Sequence, residues 1–120
     1  MNGFRVLLTV ILTCVVTYTL PVIANHGLFS LLPVFFGDML AMGWPGQFNL
    51  DFLGFLVLSA LWTAWRSEFS VNGLVLGVLA LFLGAPFLTT YLLILSYRSA
   101  GNVAVMLLGE RRGGRIQNAD

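Results

Sequence analysis

Three long stretches of the chain are strongly apolar and carry few charges. They cover about residues 5–24, 48–66 and 71–98. About 20 helical residues, at 1.5 Å each, cross the roughly 30 Å hydrocarbon core of a bilayer. The pattern therefore predicts an all-α integral membrane protein with three transmembrane helices. The third is long enough that it must tilt or protrude.

The first stretch contains a row of threonines, and it can also be interpreted as a signal peptide. Thr9, Thr13 and Thr17 lie four residues apart on one helix face, where they can bond back to their own helix or across to a neighbour. Arg5, the apolar core after it and the small residues up to Ala24 are also typical of a signal peptide. The apolar run continues almost to that cleavage site, so we expect it to remain as a span.

Between the first two spans the chain mixes polar breaks with large apolar residues. His26, Pro33 and Asp38 are too polar for a comfortable span, yet the surrounding residues are too apolar for a free loop. Residues 28–43 are therefore predicted to form an interfacial or re-entrant segment. Trp44 is expected to anchor at headgroup level, and Trp44-Pro45-Gly46 is predicted to form a turn.

The second span has polar groups at both ends. Asn49 and Asp51 near its start can cap free N–H groups, and an acid beside a span is also a candidate functional group, such as a proton or cation site. At its end, Trp62, Trp65 and Arg66 are predicted to anchor the helix at the membrane interface.

The third span carries three glycines that leave room for another helix. Gly73, Gly77 and Gly84 are predicted to form a packing groove, and Pro86 to bend the helix. Beyond it, residues 103–108 are too short to span and are expected to lie at the interface. The polar tail, residues 109–120, is expected to leave the membrane, where Arg111, Arg112 and Arg115 can contact anionic headgroups.

The distribution of arginine gives the orientation. With three spans in one membrane domain over residues 1–120, four of the six arginines fall on the C-terminal side, which favours a cytoplasmic C-terminus in a bacterial inner membrane. A four-span alternative uses residues 28–42 and places five arginines inside. It would bury Asp38, which costs about 2.5–3.5 kcal/mol near the middle of a membrane.

This order of features resembles the uncharacterised small three-span membrane proteins of bacteria and plants. The resemblance covers most of residues 4–98. It rests on Phe48-Asn49-Leu50-Asp51-Phe52 at the start of the second span, Leu61-Trp62-Thr63-Ala64-Trp65-Arg66 at its end, and Tyr91-Leu92-Leu93 in the third. It implies a membrane fold, and since those families have no assigned activity it implies no functional residue.

Composition narrows the classes of function. Hydrophobic residues make up 58% of the 120 residues and charged residues 9%, far below the roughly 25% of soluble domains. A net charge of +1 argues against a nucleic-acid partner. One cysteine, Cys14, and one histidine, His26, give no metal-ligand pattern. We expect no metal, no cofactor and no enzymatic activity.

Three functional hypotheses remain, all in contact with the lipid bilayer. The first is a non-catalytic accessory subunit or assembly factor of a larger membrane complex, of respiratory or photosynthetic type for example, bound to other subunits or to further copies. The second is a small oligomeric transporter or channel, assembled through the three glycines with Asp51 as its acid. The third is a protein that binds lipid or pigment along residues 29–44.

Overall fold

The computed structural model describes residues 1–119, with the side chains of residues 1–116, and these residues are helical almost throughout. Each connection between successive α-helices contains a residue with positive φ. The elements are α1 (Asn2–His26), a 3-10 turn (Leu28–Ser30), α2 (Leu31–Leu40), α3 (Trp44–Arg66), α4 (Val71–Leu83), α5 (Ala85–Arg98), α6 (Val103–Leu108) and α7 (Glu110–Ala119).

Two helices in the described part of the chain are long and apolar enough to cross a membrane. They are α1, with a mean hydropathy of 2.3, and α3, with 1.4. The helices predicted over residues 5–24 and 48–66 are therefore present. The turn predicted at Trp44-Pro45-Gly46 is wrong, because these residues form the first turn of α3. Proline fits that position, where its missing N–H costs no helical hydrogen bond.

The predicted third span, residues 71–98, is not one helix. Gly84, with φ 62° and ψ −135°, ends α4, and Pro86 lies in the first turn of α5. Leu76 and Tyr91 pack in one apolar cluster, although a continuous helix would hold them about 22 Å apart. The chain therefore turns back at Gly84. The two resulting helices, at about 20 Å each, are too short to cross a bilayer singly.

Helix α2 folds back along the N-terminal half of α3. The side-chain amide of Asn49 donates to the carbonyl oxygen of Phe35 at 3.1 Å. A Cβ on Gly46 would overlap the carbonyl oxygen of Asp38, so the two backbones touch there. The segment predicted as interfacial or re-entrant is thus a short turn and a ten-residue helix held against α3.

Helix α4 lies along the C-terminal half of α3, and its glycines make the contact. A Cβ on Gly73 would come within 2.8 Å of the Ser67 Cβ, and one on Gly77 within 3.2 Å of the Ala60 carbonyl oxygen. The α3 contact positions 46, 49, 60 and 67 share one helix face. Hence α2 and α4 follow each other along a single face of α3.

The remaining long helix, α1, packs antiparallel against α5. Leu8 is buried in this contact, and Phe4 joins the cluster of Tyr91, Leu95 and Met106. Because α5 starts only after the reversal at Gly84, it is long enough to pack against the first half of α1 only. The second half of α1 extends beyond α5.

The polar tail predicted to leave the membrane, residues 109–120, is helical in its described part, and its position outside the membrane stays a prediction. Residues 110–119 form α7, which folds back on α6 after a reversal at Gly109 with φ 94°. A Cβ on Gly113 would lie 2.5 Å from the Cα of Val105, so only glycine allows this approach. Residue 120 lies outside the described residues.

The molecule is elongated and exposes much apolar surface. Its radius of gyration is 16.7 Å, against about 13.6 Å for a compact domain of this length. Its accessible surface is 8336 Å², against about 6,400 Å² for a soluble protein of this mass. Large apolar side chains cover the outside of α1, α3 and α4.

The reversal at Gly84 gives a direct test of this fold. Gly84→Ala should lower the free energy of unfolding in detergent micelles by about 1–3 kcal/mol, because alanine is strained at this backbone conformation. The new Cβ would also lie 2.9 Å from the Phe52 ring. Gly54→Ala, at an open position of α3, is the control and should gain about 1 kcal/mol. Equal stability of Gly84→Ala and the parent protein in denaturant titrations would contradict the reversal.

Candidate functional site

All six arginines lie at one end of the molecule, here called the arginine end. The start of α1, the C-terminal ends of α3 and α5, and the α6–α7 hairpin meet there through the contacts of Phe4, Trp62 and Met106. The six are Arg5, Arg66, Arg98, Arg111, Arg112 and Arg115. The other end of the molecule, around His26 and Trp44, has no arginine.

Arg5 fastens the start of α1 to the last turn of α5. Its Nε donates to Ser96 Oγ at 3.0 Å and its Nη2 to the Ser96 carbonyl oxygen at 2.9 Å. Its guanidinium also lies 3.9 Å from the centre of the Tyr97 ring. Ser96 is fully buried, and its carbonyl also accepts from the Gly101 N–H at 3.0 Å, so Arg5 supplies a second donor at a helix end that water does not reach.

Arg66 and Trp62 of α3 hold the C-terminal end of α6. Arg66 donates to the carbonyl oxygen of Met106 at 2.7 Å and to that of Val105 at 3.2 Å. The indole N–H of Trp62 donates to the carbonyl oxygen of Leu107 at 3.0 Å. Both residues were predicted to anchor α3 at the membrane interface, which stays a prediction. Their polar atoms bind carbonyl oxygens in the last turn of α6, where the Val105 oxygen also accepts from the Gly109 N–H at 2.9 Å.

Two arginines of α7 bind back to the end of α3. Arg112 donates to the Trp65 carbonyl oxygen at 2.8 Å, with its guanidinium 4.1 Å from the centre of the Trp65 ring. Arg111 pairs with Glu68, and both side chains are largely exposed, so this pair contributes only about 0–1 kcal/mol. Arg115 is exposed. The predicted contact of these arginines with headgroups stays a prediction.

The other predicted site residues lie apart from the arginine end. Trp44 is 72% exposed at the opposite end. Asp51 is exposed within α3, on the side away from α2 and α4, and it is not a helix cap because α3 begins seven residues earlier. Asp38 lies 3.5 Å from the Asn49 amide. His26, the last residue of α1, is exposed.

The outer face of α1 carries a row of neutral polar and small side chains that nothing in the described chain covers. We call it the outer stripe and define it as Thr13, Cys14, Thr17, Tyr18, Pro21 and Asn25. Steps of three and four residues place these positions side by side on the helix, and all six are exposed. They line a shallow groove of about 660 Å³.

The threonine hydroxyls distinguish the outer stripe from the rest of the molecule. Five of the seven threonines donate to the carbonyl oxygen four residues earlier: Thr9, Thr19, Thr63, Thr89 and Thr90. Thr13 and Thr17 make no hydrogen bond within the described residues. Moving a hydroxyl from water into an apolar solvent without a hydrogen-bond partner costs several kcal/mol. Mutations in proteins put the cost at about 1–3 kcal/mol. The two unpaired hydroxyls therefore favour a neighbouring molecule on this face.

Pro21 removes the regular donor of one backbone carbonyl beside the outer stripe. A residue at that position would normally donate its N–H to the carbonyl of Thr17, but proline has none. The Thr17 carbonyl thus loses its regular helical partner. The outer stripe presents two hydroxyl donors and a carbonyl that lacks its regular helical donor.

An apolar cavity of about 770 Å³ lies between α1, the start of α2, α4 and α5. Volume and lining are in the range of small-molecule sites. The hydroxyls of Thr19 and Thr90 on its wall bond back to their own helices. The cavity therefore suits a hydrocarbon chain and offers little to a polar ligand.

The described residues contain no group of three His, Cys, Asp or Glu side chains that could hold a metal ion. Comparison with protein-family models, with curated proteins and with solved structures finds no significant match to this chain.

Sequence reasoning missed the partners of the arginines and the difference between the threonines. An arginine beside an apolar run can be recognised in the sequence. Its acceptor cannot, because every residue has a backbone carbonyl and none is marked as the partner. The row of Thr9, Thr13 and Thr17 was visible as well. Which of the three bonds back to its own helix depends on rotamers that spacing does not specify.

Arg66→Lys tests the clamp on α6. Lysine keeps the charge but cannot offer the planar fork that reaches two carbonyls. We expect amide hydrogen exchange over residues 103–112 to become about tenfold faster, since a hydrogen bond from a charged group contributes about 1.5–3 kcal/mol. Arg115→Lys, at an exposed position, is the matched control and should leave exchange unchanged. Unchanged exchange in both variants would show that the clamp does not hold the hairpin.

Proposed function

We propose that this chain is an integral membrane protein with a non-catalytic role, as an accessory or assembly subunit of a larger membrane complex. The observation that carries the proposal is the outer stripe of α1, a polar face on the more apolar of the two helices that are long enough to cross a membrane. Such a face is unfavourable against lipid and favourable against another transmembrane helix.

Burial supports the membrane part of the proposal. Only 6% of the most apolar window of α1, and 11% of that of α3, is buried inside the molecule. The core helices of soluble proteins are mostly buried, because exposed apolar surface of this extent is unfavourable in water. A bilayer is the solvent that makes this surface favourable.

The hydroxyls and the free carbonyl of the outer stripe support the partner. Transmembrane helices associate through small residues and through side chains that hydrogen-bond across the contact. Thr13, Cys14 and Thr17 are small enough for a close approach. A partner helix would supply the hydrogen bonds that this face lacks.

The transporter alternative loses its proposed means of assembly. It relied on Gly73, Gly77 and Gly84 to join copies. The first two glycines pack against α3 and the third forms the reversal between α4 and α5. Their surfaces are used within the chain, so another face would have to join the copies. The lipid-binding alternative keeps the apolar cavity as its candidate site.

The gathering of arginine predicts the orientation. With six arginines at one end, the positive-inside rule places the arginine end in the cytoplasm, here proposed as that of a bacterial inner membrane. The start of α1 and helix α7 both lie at this end, whereas three spans would place residues near the two termini on opposite sides. Reporters fused to either terminus, active only in the cytoplasm, should both be active. A reporter inserted at residue 42, at the other end, is the control and should be inactive. Termini on opposite sides would contradict the arrangement.

Purification in mild detergent tests the accessory role. The chain should migrate well above the 13.1 kDa of a monomer after correction for bound detergent, with other polypeptides or further copies. Thr13→Leu together with Thr17→Leu should reduce this association, because both hydroxyls are removed from the outer stripe. Thr9→Leu, which removes a hydroxyl that already bonds to α1 itself, is the control. A monomer in every sample would refute the proposal.

A further inference from the structure

The geometry points to a second copy of this chain as the partner that covers the outer stripe. The inference rests on the proposed function and specifies its partner. Two copies would form a parallel pair about a two-fold axis along the membrane normal, with α1 packed against α1.

The chemistry of the outer stripe is complementary to itself. A threonine or tyrosine hydroxyl and an asparagine amide each both donate and accept hydrogen bonds. Thr13, Thr17, Tyr18 and Asn25 are therefore able to pair with their own counterparts. The stripe carries no charge, so it offers nothing to attract a partner helix that has an intramembrane charge.

Depth in the bilayer favours an identical partner over a foreign one. Two copies insert in the same orientation, so each polar group of one stripe meets a polar group of the other at the same depth. The free Thr17 carbonyl of one copy then lies at the level of the Thr17 hydroxyl of its partner. An isologous contact of this kind closes on itself and gives a dimer rather than a chain of copies.

Side-chain size favours close approach where the two helices would cross. Thr13, Cys14 and Thr17 are small and lie near the middle of α1, whereas Tyr18 stands to one side. Transmembrane helices pack closely where small residues meet. The two Cys14 side chains would lie near the symmetry axis, within the distance of about 7 Å between Cα atoms that a disulfide allows.

Oxidative cross-linking of the full chain in its native membrane tests the pair. Cys14 is the only cysteine, so mild copper-catalysed oxidation should give one product at twice the 13.1 kDa chain mass, reversible by reductant. The matched control is Cys14→Ser together with Val16→Cys. Val16 is similarly close to the middle of α1 and is 37% exposed, but it lies about 160° around the helix from Cys14. The control should give little product.

A second set of variants keeps the test independent of folding. Thr13→Val together with Thr17→Val removes the two hydroxyls at nearly constant volume and should lower the cross-linked yield by about threefold or more per hydrogen bond lost. Thr9→Val should leave the yield unchanged. Protection of the α6 amides from exchange, far from the stripe, reports in each variant whether the chain is folded.

The outcomes separate this inference from the proposed function. A strong Cys14 product with a weak control supports the pair. Cross-linking of Cys14 to a different polypeptide overturns the pair but keeps the accessory role. Equal yields at both cysteine positions indicate random collision and overturn the pair. A chain that neither cross-links nor co-purifies with another polypeptide overturns both.

Discussion

The fold depends on how the carbonyl groups at helix ends are satisfied. The last four carbonyls of a helix have no partner within it, and neither apolar side chains nor lipid supply one. Here α3, α5 and α6 all end at the arginine end, and each end receives an arginine from a different helix. Arg112 serves α3, Arg5 serves α5 and Arg66 serves α6. A guanidinium suits this task because it offers five donors in a plane and keeps its charge.

Gathering the helix ends in one place has a consequence for the rest of the chain. A helix that runs away from the arginine end must be followed by one that runs back to it. The apolar run of residues 71–98 supplies one helix of each direction, because the chain reverses at Gly84. Its outward half, α4, covers the C-terminal half of one face of α3, while α2 covers the N-terminal half. Broken helices at this depth are tolerated where protein or a cavity surrounds them. The cavity bounded by Leu31, Leu83 and Pro86 lies at that junction.

The sequence predicts the elements whose cause is local. α1 and α3 follow from length and low charge, and α6 from a short apolar run between polar residues. The reversal at Gly84 was missed because apolar residues continue on both sides, and a glycine used for positive φ looks the same as one used for packing. α7 was missed because its composition is polar. What holds it is the approach of Gly113 to Val105 and the bond from Arg112 to a distant carbonyl.

The same accounting of hydrogen bonds explains why α1 differs from the other helices. The threonine hydroxyls that face the interior or the cavity bond to their own backbone, as those of Thr63, Thr89 and Thr90 do. On the outer stripe the hydroxyls of Thr13 and Thr17 stay unpaired, and Pro21 frees a carbonyl beside them. A helix surrounded by lipid on this side would gain by turning these groups inward or by lacking them. These groups are the observation that supports the proposal of another helix against this face.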